Sequence, residues 1–221
     1  MSARVGVLGG TFDPIHCGHL AAATAARDAL GLAPVLVIPS RIPPHRPIQP
    51  HVSAYHRFAM AALAVSGERD LVVSDDELCS EGPSYTATTL ERLQSRGWTA
   101  SQIFFITGAD AFAEIATWKR YPEVLDLANF VVVSRPGHRI EELANRVPEL
   151  AARLRSAADA ADAAGKPFIY LLQAPTPDVS STSIRERLRH RQPITGLVPP
   201  LVETHILQHR LYTAEQLHGQ I

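Results

Sequence analysis

Two histidines three positions apart, His16 and His19, stand in the segment GGTFDPIHCGHL, directly behind the first strand-like run of the chain (Val5, Val7, Leu8). Gly9 and Gly10 let a ligand press on backbone where a side chain would block it. Pro14 drives Asp13 out of the helical region, and the alanine-rich stretch from Gly18 to Leu30, closed by Gly31, reads as a helix. The histidines therefore fall at a helix N-terminus, where orphan N–H groups and the positive end of the dipole favour anions and two imidazoles add donors. Phosphate binding is the chemistry this suits. The segment has neither the G-x-G-x-x-G dinucleotide pattern nor the lysine of a Walker A loop. A metal site would need Asp13 or Cys17 to complete the pair, and neither makes a familiar zinc spacing. Surface or capping histidines are the plain alternative.

Other segments carry two readings each. PSRIPPHRP, Pro39 to Pro47, is too proline-rich for a helix or central strand. As a loop it is a stiff connector, or it offers His45 and Arg46 to a phosphate. In GPSYTATTL, Gly82 to Leu90, Ser84 or Thr86 can cap the helical run that follows. FFITGADAFAEIATW turns at Gly108, Ala109 and Asp110, with Asp110 read as an N-cap, and ends on Trp118, either a core residue or a stacking platform. Arg135 in VVVSRPG reads by itself as one half of an ion pair, and in VSSTSIRERL the spacing makes Ser183 and Glu186 a capping box.

GGTFDPIHCGHL resembles the T/H-x-G-H signature of the nucleotidyltransferase superfamily, in the form carried by bacterial nicotinate-mononucleotide adenylyltransferases. Related H-x-G-H cores occur in pantetheine-phosphate adenylyltransferases, cytidylyltransferases and class I aminoacyl-tRNA synthetases, so further motifs must choose. GPSYTATTL is similar to that family's GPSYTxDTL, with Thr88 where an aspartate is usual, and PPHR is similar to its PPHK, with Arg46 in place of lysine. SSTSIR resembles its I-S-S-T-x-I-R, and the closing LVPPLVETHILQHRLY resembles its C-terminal pattern with His205 where a tyrosine is usual. The matches run from Gly9 to Tyr212 in the family's order.

The resemblance implies an ATP site made by Gly9, Gly10, Thr11, Phe12, His16, His19, Gly108, Asp110, Ser180, Ser181, Thr182 and Arg185, with His16, His19 and Arg185 as the catalytic set. It implies a mononucleotide site made by His45, Arg46, Tyr85, Thr86, Trp118, Lys119 and Arg135. In that reading Trp118 stacks on the nicotinate ring, N–H groups near Tyr85–Thr86 and Trp118–Lys119 meet its carboxylate, and Arg135 takes the mononucleotide phosphate.

These residues need a frame. With 221 residues, 46% of them hydrophobic, and no internal repeat, the chain suits one nucleotidyltransferase domain over 1–221, its C-terminal helical part at about 181–221. Short runs rich in Val, Ile and Phe recur at Arg4 to Leu8, Val35 to Ile38, Leu71 to Val73, Ile103 to Ile106, Phe130 to Val133 and Phe168 to Leu172, as strands covered on both faces do. Helical patterns lie between them at Gly18–Leu30, Val52–Val65, Thr86–Arg96, Ala111–Ala116, Glu123–Leu127 and Ile140–Ala164, the last with an alanine-rich stretch from Leu150 read as a surface helix. Alternation of this kind predicts an α/β fold, a Rossmann-like parallel sheet with helices on both faces, whose ligands sit beyond the carboxyl ends of the strands.

A net charge of −1 without a basic block argues against a nucleic-acid partner, and no apolar run reaches the roughly 20 residues of a membrane span. Cys17 and Cys79 make no disulfide framework, as expected of a cytoplasmic protein. Composition leaves the oligomeric state open. The resemblance implies adenylyl transfer from ATP to nicotinate mononucleotide, giving deamido-NAD and pyrophosphate, with Mg²⁺ bridging the triphosphate and no dedicated protein metal cage. Nicotinamide mononucleotide or phosphopantetheine as acceptor, and a catalytically silent nucleotide-binding regulator, are the alternatives.

Overall fold

The computed structural model describes residues 3–44, 49–134, 147–157 and 165–213. Its centre is a seven-stranded sheet in the order β3-β2-β1-β4-β5-β7-β6. The strands are β1 (Val5–Gly10), β2 (Val35–Pro39), β3 (Leu71–Val73), β4 (Ile103–Gly108), β5 (Asn129–Val133), β6 (Leu154–Ser156) and β7 (Ile169–Leu172). Every neighbouring pair is parallel. β1 is central, with Leu8 registered against Val37 on one side and Ile106 on the other.

Period-two alternation divides these strands between two cores. Phe104, Ile106, Val131 and Val133 face one, with Met60, Ile184 and Val202 from helices, while Phe105, Phe130 and Val132 face the other, with Leu90 and Phe112. The helices are α1 (Cys17–Leu30), α2 (Ala54–Val65), α3 (Thr86–Ser95), α4 (Ala109–Phe112), α5 (Ser181–Arg189) and α6 (Pro200–Gln208). None of the described helices is long and apolar enough to cross a membrane.

Four local expectations change. Leu150–Ala164 is not one helix: Pro148–Arg153 forms a 3₁₀ segment and Leu154–Ser156 an edge strand paired with β7, while 158–164 lies outside the described residues. Ala111–Ala116 divides into α4 and a 3₁₀ turn at Ile115–Thr117, because the bond from Glu114 N–H reaches Ala111 O and so tightens the winding. Glu123–Asp126 is likewise 3₁₀, entered through Pro122. The helix cap at α3 is Tyr85 rather than Ser84 or Thr86.

Candidate active site

In the order 3-2-1-4-5 the direction of winding reverses between β1 and β4, and a cleft opens outside their carboxyl ends there. Gly9, His19, Gly108 and Asp110 line it. So do Thr107, Ser134 and Thr176, which the sequence reading did not single out.

The β1–α1 loop builds the near wall. Phe12 is buried with φ of 51°, folded back so that a Cβ on Gly10 would stand 2.7 Å from its ring; only glycine fits that position. The ring of Phe12 meets the His19 imidazole edge-on at 5.0 Å. His16, the buried N-cap of α1, stacks on His19 with centroids 3.7 Å apart. At Gly18 a Cβ would come within 3.1 Å of the His16 ring and 3.2 Å of Val179, so this glycine lets α1 start close behind the imidazole. The backbone N–H of His16 donates to His19 Nδ1 at 3.2 Å. That bond makes Nδ1 an acceptor, so neutral His19 carries its proton on Nε2.

A second helix start closes on the same loop. Ser180 caps α5, exchanging bonds with Ser183. The capping box is thus Ser180 with Ser183, one turn earlier than the expected Ser183 with Glu186, because the helix begins at Ser181. Ser181 Oγ donates to Pro14 O at 2.8 Å, and buried Arg185 donates to Asp13 O at 2.7 Å and to Thr182 Oγ1 at 3.1 Å. Asp13 is itself buried; its carboxylate accepts from the Tyr212 hydroxyl at 2.9 Å and from the His51 N–H at 2.9 Å.

Arg57 is among the largest fully buried side chains of the described residues, and nothing in the helical pattern around it marked it out. It donates to Thr11 O at 2.7 Å and to Arg41 O at 3.2 Å, tying the β1–α1 loop to the segment after β2. That segment also leans on the GPSYT stretch: Arg41 N–H donates to Ser84 Oγ and Ser84 N–H to Ile42 O, both at 2.9 Å. His45, Arg46 and Arg135 lie outside the described residues.

Tyr85, Thr86, Trp118 and Lys119 come together on the far side of β4. Lys119 Nζ stands 5.7 Å from the centre of the Tyr85 ring. Trp118 is half-buried, edge-on to Phe105 at 5.9 Å and to Phe130 at 6.3 Å. Of the backbone donors expected here, Tyr85 N–H is spent on Pro83 O and Trp118 N–H on Ile115 O, each at 3.0 Å. The expectation narrows to Thr86 and Lys119, since a turn and a 3₁₀ bond take the other two. Asp110 is not a cap: Gly108 holds that position, and Asp110 sits in the first turn of α4 facing the cleft. Thr88 lies exposed on α3.

The chain is similar to known proteins in sequence and in fold. A sequence family described as cytidylyltransferase-like matches residues 7–187. A protein of Moorella thermoacetica named "Probable nicotinate-nucleotide adenylyltransferase" is 38% identical over 209 residues, 95% of this chain and 91% of the relative. One of the same name from Chromohalobacter salexigens is 41% identical over 213 residues, 95% and 96% of the two chains. Among solved structures, the Plasmodium falciparum nicotinic acid mononucleotide adenylyltransferase complexed with NaAD superposes with a TM-score of 0.69 at 18% identity, covering 96% of this chain and 98% of that one.

Proposed function

The chain belongs to the cytidylyltransferase-like nucleotidyltransferases, among the nicotinate-nucleotide adenylyltransferases, and from that premise we infer that it transfers the adenylyl group of ATP to nicotinate mononucleotide, releasing pyrophosphate and deamido-NAD. The observation that carries the reading is His19 in the cleft, its Nδ1 engaged by the His16 N–H and its proton therefore on Nε2.

The nucleophile is a phosphate oxygen of the mononucleotide, already ionised near neutral pH. It forms a bond to the α-phosphorus as the bond from that phosphorus to the bridging oxygen of pyrophosphate breaks, and no side chain has to take a proton. Catalysis is then positioning and charge stabilisation. In this proposal Gly9, Gly10, Thr11 and Phe12 form the cradle backbone, and His16 and His19 donate to phosphate oxygens. Arg185 and the Ser180, Ser181, Thr182 cap bring α5's N-terminal donors and positive charge to the same phosphates. Gly108 and Asp110 take the ribose between the two nucleotides. Tyr85, Thr86, Trp118 and Lys119 hold the pyridine, and His45, Arg46 and Arg135 the mononucleotide phosphate.

Mg²⁺ belongs to the proposal as a passenger on ATP. Among the described residues no three His, Cys, Asp or Glu side chains group so as to hold a metal, and the cradle's N–H groups and imidazoles suit anions. When bound with ATP, Mg²⁺ neutralises triphosphate charge.

The test is a pyrophosphate-release assay with ATP and nicotinate mononucleotide, nicotinamide mononucleotide, phosphopantetheine or ribose 5-phosphate. The carboxylate only accepts hydrogen bonds, whereas the amide brings donors toward donors, so kcat/KM should favour the acid by at least about 10²-fold. Equal rates for acid and amide would overturn the deamido preference, and no turnover with either would overturn the reading.

A further inference from the structure

Below the GPSYT segment lies a carboxyl that the reaction does not use. Glu77 is 6% exposed, in the loop between β3 and α3. Its Oε1 accepts from Thr89 Oγ1 at 2.6 Å, and its carboxylate also meets the Ser84 hydroxyl. The charged groups around it are Arg92, which donates to Thr89 Oγ1 at 3.2 Å, and Asp76, which Arg92 and Arg96 both engage. Burial raises the Glu77 pKa, opposed by the bonds from Thr89 and Ser84 and by the charge of Arg92.

What Glu77 holds is more telling than its own environment. Ser84 is the residue on which the segment after β2 rests, through Arg41 N–H to its Oγ and its own N–H to Ile42 O. Arg41 further donates to Ser80 O at 2.6 Å, and Ser80 Oγ to Asp76 O at 2.7 Å. Thr89 can alternatively turn its proton to Tyr85 O at 3.4 Å, a longer contact that loses to the carboxylate. One buried side chain therefore sets the hydroxyls on either side of Tyr85 and Thr86.

We propose that Glu77 is a positioning residue for the acceptor nucleotide, holding Ser84 and Thr89 so that the Arg41–Pro44 loop and the Tyr85–Thr86 backbone present one fixed surface to it. This rests on the reading of that surface as the mononucleotide side of an adenylyltransferase. Neither Ser84 nor Glu77 need touch the reacting atoms. Their removal loosens a binding surface without altering the phosphate cradle, so the effect belongs to KM of the acceptor.

The test is steady-state kinetics of Glu77→Gln, Ser84→Ala and the double variant, varying ATP and acceptor separately. Glutamine keeps the shape and one acceptor oxygen, and Ser84→Ala carries the test if Glu77→Gln fails to fold. Each single change should raise the acceptor KM about 5- to 20-fold while the ATP KM and kcat stay within about 3-fold; charge-assisted bonds of this kind support an effect of that order. The double variant should be no worse than the stronger single one, because both cut the same connection. An unchanged acceptor KM, or a fall in kcat with both KM values shifted alike and tracking loss of folded protein, would reduce Glu77 to a structural role and overturn the inference. If wild type adenylylates a different acceptor, the nicotinate reading fails, and a selective rise in that acceptor's KM would still sustain the role of Glu77.

Discussion

The phenol of Tyr212 donates a 2.9 Å hydrogen bond to Asp13 Oδ1, joining buried residues 199 positions apart. Burial and the adjacent Asp13 charge push the Tyr212 phenol far above the ordinary tyrosine range, so it remains a donor throughout the working pH. Tyr212→Phe keeps the ring and strands the carboxylate oxygen, which should cost about 1–3 kcal/mol. Urea denaturation would read this as a lower midpoint at unchanged slope. An unchanged midpoint would mean that Asp13 finds another donor.

His19→Ala should lower kcat by about two orders of magnitude or more, with mononucleotide binding nearly unchanged, because a donor aimed at developing charge acts mainly in the transition state. Full activity in the variant would remove His19 from the mechanism.

Trp118→Ala should weaken the acceptor by about 1–3 kcal/mol if its ring stacks on the pyridine. Because Trp118 also packs on Phe105 and Phe130, melting must be recorded beside KM, and the ATP KM serves as the control. Equal loss for ATP and acceptor would place the residue in the core only.

His56, His205 and His209 cluster where α2 meets the end of α6, with His56 Nδ1 and His205 Nε2 3.1 Å apart. Burial first, then the charge of His209, lowers the pKa of His56 and of His205 below 6.5, with His56 adding to the effect on His205. Between the lowered values and 6.5 the unfolded chain binds more protons than the folded one, so stability rises with pH across that window. It is fully present above 6.5 and lost as acid reaches the folded values. The double variant His56→Gln, His205→Gln should lose less stability than wild type when melted on the acid side of 6.5. The same acid loss in both proteins would locate the sensitivity elsewhere.

The place of His16 and His19 in the fold was readable from sequence. His16 and His19 follow a strand and open a helix, and that local context is enough to place them at the carboxyl edge. The central strands were readable because burial on both faces leaves continuous Val, Ile and Phe runs. β6 was not, since three residues with Arg155 in the middle carry no such run and their strand character comes only from pairing with β7. Arg57 escaped because an arginine in an amphipathic helix looks like a solvated side chain until the carbonyls of Thr11 and Arg41 turn toward it. The structural role of Asp13 escaped because Arg185 and Tyr212 are distant in the chain, and that of Glu77 because a loop carboxyl looks solvated until Ser84 and Thr89 close on it.

The long-range clamp on the β1–α1 loop also has a timetable. Pro14 waits for Ser181, 167 positions later, and Asp13 for Arg185 and Tyr212, 172 and 199 positions later. At a translation rate of about 5–20 residues per second, the ribosome delivers Tyr212 roughly 10–40 s after Asp13. During that interval the nascent chain owns His16, His19, Gly9 and Gly10, and Arg57 and His51 soon after, yet Ser181, Arg185 and Tyr212 have not been made. The β1–α1 loop is thus made 167 to 199 residues before the groups that clamp it, and a ribosome stalled before Tyr212 carries that loop without its final clasp.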